Sequence, residues 1–138
     1  MRVIGLQFDG YWREISKAWI TPCSGLYCVY RCAPLLNGRL LLRELIYIGQ
    51  SENVNSRIAN HERVQDWQGS LLAGEELCYS VAEVMSPSNR DVAEAALINE
   101  VKPRLNSDFI DSYPFETAVI SCGGTNGLLP RQFMRLGK

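Results

Sequence analysis

The spacing of apolar and polar residues changes along the chain, and its first part predicts a strand followed by an amphipathic segment. Weak alternation over residues 1–8 predicts an edge strand. The Asp9-Gly10 pair after it predicts a turn, because these residues favour tight turns. An amphipathic stretch over residues 11–20 follows and ends before Pro22.

The next two apolar segments predict a β-hairpin. Residues 25–32 and 40–49 are rich in aromatic and branched side chains, which suits strands. Asn37-Gly38 lies between them, and this dipeptide favours the tight turns of hairpins. Cys28 and Cys32 fall on one face of the first strand, where we expect them to be buried as small apolar residues.

Beyond Gly49 the apolar period becomes helical. Val54, Ile58 and Val64 recur at helical spacing and predict one helix, with Ser51 or Asn53 as its N-cap. The second strand of the predicted hairpin is therefore followed by a helix.

A strand over 77–84 and a second helix follow. Ser86-Pro87 is typical of a helix start, and the helix is expected to run to about Lys102, before Pro103. Residues 117–122 predict one more strand, and the glycine-rich tail from Gly123 is expected to be partly mobile.

The predicted order β-β-α-β-α indicates an α+β protein of the α/β sandwich type, with a small central, mostly antiparallel sheet flanked by helices. The length of 138 residues suits one domain over residues 1–138. Its core spans about 24–106, with an N-terminal extension (1–22) and a C-terminal extension (107–138). We expect the extensions to add edge strands to the sheet.

Composition narrows the class of protein. The chain is 46% hydrophobic and 21% charged, which is ordinary globular usage. The N-terminus lacks a signal-peptide pattern. No stretch is close to the length of about 18 apolar residues that spans a bilayer. We therefore expect a cytoplasmic protein without a membrane partner. Five cysteines without a paired C-x-x-C unit indicate reduced thiols. The formal net charge of −1 argues against tight binding of nucleic acid through bulk charge alone.

Two polar residues interrupt the apolar stripe of the first predicted helix. Arg57 and His61 lie on the same side as Val54, Ile58 and Val64, at steps of three and four. They either extend their polar ends from the edge of the stripe into water or belong to a site. His61 is the only histidine, which argues against hydrolases that need two or three histidines on a metal.

Glu94 lies beside the buried stripe of the second helix. A carboxylate there requires a partner, because burying an unpaired charge costs several kcal/mol. Arg90 or Arg57 would serve as an ion-pair partner. The alternative is a divalent metal, since Mg²⁺ is held by one or two carboxylates with water and phosphate oxygens. Tyr27 and Tyr47 would stand near these groups if the hairpin register placed them on one face.

The ordered set of residues resembles the GIY-YIG nuclease family. Gly25-Leu26-Tyr27 corresponds to the first motif, with Leu in place of Ile, and Tyr47-Ile48-Gly49 matches the second. Arg57 lies ten residues beyond Tyr47, and His61 follows one turn later. Glu94 and Asn106, twelve residues apart, correspond to the family's Glu and the Asn that follows it. The resemblance covers about residues 24–106.

The resemblance implies a DNA endonuclease that hydrolyses phosphodiester bonds with one Mg²⁺ or Mn²⁺ held by Glu94. Arg57 would clamp the scissile phosphate, and Tyr27 or Tyr47 would take the proton of the attacking water. His61 would assist by orienting that tyrosine or contacting phosphate. Asn106 would orient the groups around the metal, and Gly25 and Gly49 are the motif glycines.

Residues around this set give further expectations about DNA binding. Gln50 stands where many family members have Lys, which removes a cation. Gln50, Arg63, Arg90 and Arg104 are candidate substrate-binding residues, and with Arg43 and Lys102 the arginines would form a local basic track. The alternative function is an inactive module of the same fold that binds nucleic acid or a protein.

Overall fold

The computed structural model describes residues 1–138 and contains six β-strands and three α-helices. The strands are β1 (Arg2–Arg13), β2 (Gly25–Pro34), β3 (Leu40–Ser51), β4 (Glu76–Glu83), β5 (Ala118–Gly124) and β6 (Gln132–Arg135). The helices are α1 (Val54–Ala59), α2 (Val64–Gly69) and α3 (Pro87–Val101), and a short 3-10 helix lies at Lys17–Trp19. The predicted α+β class is therefore confirmed.

All six strands form one sheet with the order β3-β2-β4-β1-β5-β6. Each neighbouring pair is antiparallel except β1 and β5, which are parallel. The prediction of a mostly antiparallel sheet is confirmed, and β3 and β6 form its edges.

The expectation for the N-terminal segment is wrong. β1 is an inner strand between β4 and β5, and it continues through Asp9-Gly10 to Arg13 instead of turning there. Ile4, Leu6 and Phe8 are buried at alternate positions, as in a strand with one covered face. The strand becomes internal because β5 pairs with it from more than 100 residues away in sequence.

The hairpin forms as predicted. β2 and β3 pair antiparallel, with Gly25 opposite Ser51 at one end and Pro34 opposite Leu40 at the other. Gly38 has φ 81° in the connecting turn, a conformation that favours glycine. The glycine-rich C-terminal segment forms part of β5 and is followed by β6, so the predicted tail contributes to the sheet.

The single helix predicted after β3 is instead two short helices. Asn53 caps α1, because its side chain accepts a hydrogen bond from the Ser56 N–H. α1 ends at Ala59, and His61 lies in the turn before α2. His61 therefore does not share a helix with Arg57, as the spacing had indicated.

α3 agrees with its predicted bounds. The Ser86 side chain accepts a hydrogen bond from Asn89 N–H, and Pro87 occupies the first turn. Lys102 closes the helix in the left-handed region with φ 54°, directly before Pro103.

Helices cover both faces of the sheet, and each face has its own hydrophobic cluster. α3 packs on the face that carries Cys28, Cys32 and Ile48. α1 and α2 pack on the opposite face, against a cluster that includes Tyr27 and Ile46. All five cysteines are free, as predicted. No helix has the length and apolar character needed to cross a membrane.

Candidate active site

A cavity of about 270 Å³ lies beside the edge strand β3, between the α1–α2 turn and the segment after α3. Its lining includes five of the residues singled out in the sequence: Tyr47, Arg57, Arg63, Glu94 and Asn106. A wider groove of about 540 Å³ over β1, β5 and β6 contains none of them. Residues that lie up to 59 positions apart in sequence thus meet at one concave surface.

The two motif tyrosines share one face of the hairpin. Their ring centroids are 6.3 Å apart, and the two ring planes are inclined to each other by 27°. Tyr47 is half-buried and lines the cavity, whereas Tyr27 is 1% exposed. Burial raises the pKa of both phenols, while the Arg57 guanidinium acts in the opposite direction. Tyr47 is therefore the phenol that substrate would reach.

Both motif glycines sit where a side chain would collide. A Cβ at Gly49 would lie 2.4 Å from the Tyr27 ring, which packs across this residue from the neighbouring strand. A Cβ at Gly25 would lie 2.0 Å from the Ala82 carbonyl oxygen. The glycines thus permit close packing of the hairpin that carries the tyrosines.

Gly49→Ala is expected to lower the free energy of unfolding by about 1–3 kcal/mol, as overpacking does in dense cores. Gly69→Ala is the matched control, since a Cβ there meets nothing within 4 Å. Urea unfolding of both variants checks the prediction. Equal free energies of unfolding for the two variants would contradict the prediction, because they would show that the Tyr27 ring moves aside without loss of stability.

His61 is 3% exposed and packs among aromatic rings. Its ring centroid lies 4.3 Å from that of Trp67 and 5.3 Å from that of Tyr47. Nδ1 accepts a hydrogen bond from the Arg63 N–H at 3.0 Å, and Nε2 has no hydrogen-bond partner. Burial lowers the pKa of His61 to about 4, and the nearby Arg57 adds to this shift. The imidazole is therefore neutral at pH 7. It packs against the rings of both tyrosines.

This burial makes part of the stability depend on pH. The unfolded chain protonates His61 near its ordinary pKa of about 6.5, whereas the folded chain does so at about 4. The neutral histidine's contribution is therefore complete above pH 6.5 and is lost as pH falls toward 4, by up to about 3 kcal/mol. Unfolding free energies of wild type and His61→Phe, measured across this range, should differ in slope. Parallel curves would contradict the assignment.

Arg57 forms an ion pair with a carboxylate in the segment between α1 and α2. Its guanidinium pairs with Glu62 at 2.7 and 2.8 Å, and its side chain remains 36% exposed. The hydrogen bond from Arg57 lowers the pKa of the Glu62 carboxyl to about 2, and the charge of the guanidinium acts in the same direction. A phosphate that binds Arg57 must therefore displace or share it with Glu62.

Glu94 has no ion-pair partner, so of the two alternatives the ion pair with Arg90 or Arg57 does not form. Its Oε1 accepts a hydrogen bond from Gln50 Nε2 at 3.3 Å. Burial raises the pKa of the Glu94 carboxyl to about 7; the Gln50 hydrogen bond opposes this shift, and the Asp91 and Asp108 carboxylates add to it. The group is a desolvated oxygen donor at a cavity wall, which suits a hard cation.

The predicted basic track is wrong for Arg90. Arg90 is 5% exposed and donates to Gln50 and to two main-chain carbonyls, so it is not a surface cation. Arg104 pairs with Glu44 by two hydrogen bonds, and it lies outside the cavity lining, as do the exposed Arg43 and Lys102. Arg63 does line the cavity, where Nη2 donates to the Leu105 carbonyl at 2.6 Å.

Asn106 fastens the segment after α3 to the sheet edge. Its side-chain amide accepts from Ile48 N–H and donates to the Ile48 carbonyl, both at 2.9 Å. Asn106 thus fixes the strand position next to Tyr47 and makes no hydrogen bond to Glu94.

Three residues of this region were missed by the sequence analysis. Glu62 and Asp108 line the cavity, and Trp67 is fully buried against His61. A lone Trp in the polar stretch 60–70 was the available signal for a buried anchor.

Comparisons with known proteins give no relative from which a function could be transferred. No protein-family model, no curated protein and no solved structure matches this chain.

Proposed function

We propose that the chain is a metal-dependent DNA endonuclease with a GIY-YIG-like site. The observation that carries this proposal is the meeting of Tyr47, Arg57 and Glu94 in one cavity of about 270 Å³. A phenol, a guanidinium and a desolvated carboxylate are the three kinds of group that phosphodiester hydrolysis uses: a base, a phosphate clamp and a cation ligand.

Glu94 is the residue that would hold Mg²⁺ or Mn²⁺. The chain has no group of three or more His, Cys, Asp or Glu side chains arranged to hold a metal, so the remaining ligands would come from water and phosphate. When bound, the cation supplies positive charge that stabilises the negative charge developing on the phosphate.

Arg57 would bind the scissile phosphate through its forked N–H groups. The exposed Glu62 occupies these donors in the free protein. Exchange of one anion for another keeps the guanidinium paired throughout. DNA binding at this site is expected to weaken with added salt, because neutralising a phosphate releases counterions from the DNA.

Tyr47 would accept the proton of the attacking water, which requires its phenolate form. Burial and the Glu94 carboxylate raise the pKa of Tyr47, and Arg63 and Arg57 lower it. A cation on Glu94 would cancel the contribution of that carboxylate. Tyr27 and His61 pack behind Tyr47 and hold its ring in place.

The test is an incubation of the purified chain with supercoiled and branched DNA in Mg²⁺, in Mn²⁺ and in EDTA. Cleavage is expected with either metal and not in EDTA. Cleavage that continues in EDTA would contradict a metal-dependent reaction.

A binding module without activity is the second candidate function. It is favoured by the pairing of Arg57 with Glu62, which leaves the cavity's main cation neutralised in the free protein. Retention of DNA by the chain without cleavage in any metal would support this alternative and overturn the nuclease proposal.

A further inference from the structure

A buried arginine lies behind the candidate metal ligand. Arg90 is in the first turn of α3 and is 5% exposed. Its Nη1 donates to the carbonyls of Val84 and Met85, each at 3.3 Å. Its Nε donates to Gln50 Oε1 at 3.2 Å. Two main-chain carbonyls thus hold the Arg90 guanidinium, and its other hydrogen bond goes to the Gln50 side chain.

The opposite end of the Gln50 amide faces two carboxylates. Nε2 donates to Asp91 Oδ1 at 2.7 Å and to Glu94 Oε1 at 3.3 Å. Arginine has donors and no acceptor, whereas an ionised carboxylate only accepts. The amide can satisfy all three neighbours in one orientation, with its oxygen toward Arg90 and its NH₂ group toward the carboxylates. Arg90 on one side and Asp91 on the other therefore fix the orientation in which the Gln50 amide meets Glu94.

This contact crosses between two elements of the fold. Gln50 is near the end of the edge strand β3, and Glu94 is on α3, which packs on one face of the sheet. The Gln50 hydrogen bond restrains one Glu94 oxygen from the strand side. A carboxylate with fewer rotamers loses less entropy when it binds a cation.

We propose that Arg90 and Gln50 are positioning residues that act in series to hold the Glu94 carboxylate in its cation-binding orientation. The proposal rests on the proposed metal site at Glu94. Gln50 thereby has a role in orienting the site, distinct from substrate binding.

The test is a titration of the metal-free chain with Mn²⁺ alone. Calorimetry or electron paramagnetic resonance measures the binding. Gln50→Ala is expected to weaken Mn²⁺ binding about tenfold or more, as loss of a group that orients a metal ligand does. Arg90→Met should weaken it in the same direction, and the double variant should be no weaker than Gln50→Ala. This non-additivity is the signature of two residues acting in series. Glu100→Gln, an exposed position on the same helix, is the control and should bind as wild type does.

The outcomes separate this proposal from the proposed function. Wild-type binding that Glu94→Gln abolishes and Gln50→Ala leaves within twofold would overturn the positioning role alone. Additive effects of Gln50→Ala and Arg90→Met would also overturn it. Absence of Mn²⁺ binding by the wild-type chain would overturn the metal site and this proposal together. Because Gln50 is partly exposed, its variant tests the role even if Arg90→Met fails to fold.

Discussion

Glu94→Gln is expected to lower the rate of Mg²⁺-dependent DNA cleavage by about 10³-fold, equivalent to about 4 kcal/mol of transition-state stabilisation. The amide keeps the shape of the side chain but loses the charge that holds a hard cation. The free energy of unfolding should stay the same or rise, because the carboxylate is desolvated and lacks an ion-pair partner. Cleavage rates and urea unfolding of the same preparation check both parts.

Glu100→Gln makes the same chemical change at an exposed position of α3 and should cleave at the wild-type rate. A Glu94→Gln rate within threefold of wild type would remove Glu94 from the mechanism. A large loss of stability in Glu94→Gln would show a structural role instead.

Arg57→Ala is expected to reduce cleavage by about 10²- to 10³-fold, the range seen when a donor to a developing negative charge is removed. Arg57→Lys should restore part of the rate, since it keeps the charge but not the forked geometry. Glu62→Gln should act in the opposite direction and strengthen DNA binding, because it frees the guanidinium that Glu62 engages at 2.7 Å.

Single-turnover cleavage rates and DNA affinities at fixed salt measure these effects. Arg39→Ala, an exposed arginine at the tip of the hairpin, is the matched control for loss of one positive charge. If Arg57→Ala and Arg39→Ala lower the rate equally, Arg57 has no specific role at the phosphate.

The sequence predicted the elements whose signals are local. Asn37-Gly38 marks the hairpin turn, Asn53 and Ser86 mark helix starts, and each does so through its own backbone contacts. The inner position of β1 could not be predicted, since it depends on pairing with β5 at the far end of the chain.

The same distinction holds for the candidate site. Spacing and motif order indicate Tyr47, Arg57 and Glu94, and the structure places all three in the lining of one cavity. The burial of Arg90 and the ion pair of Arg57 with Glu62 depend on three-dimensional packing. His61 was identified by a helical spacing that does not exist, because α1 ends at Ala59.

If the chain is a phosphodiester hydrolase of the proposed kind, the cavity at Glu94 holds its cation. A crystal structure of the chain with Mn²⁺ and a short DNA duplex would locate that cation through the anomalous signal of manganese. We expect one anomalous peak at about 2.1 Å from a Glu94 oxygen, with a DNA phosphate in contact with Arg57. A peak elsewhere, or Glu94 bound only to Gln50 at saturating Mn²⁺, would contradict a metal site at Glu94.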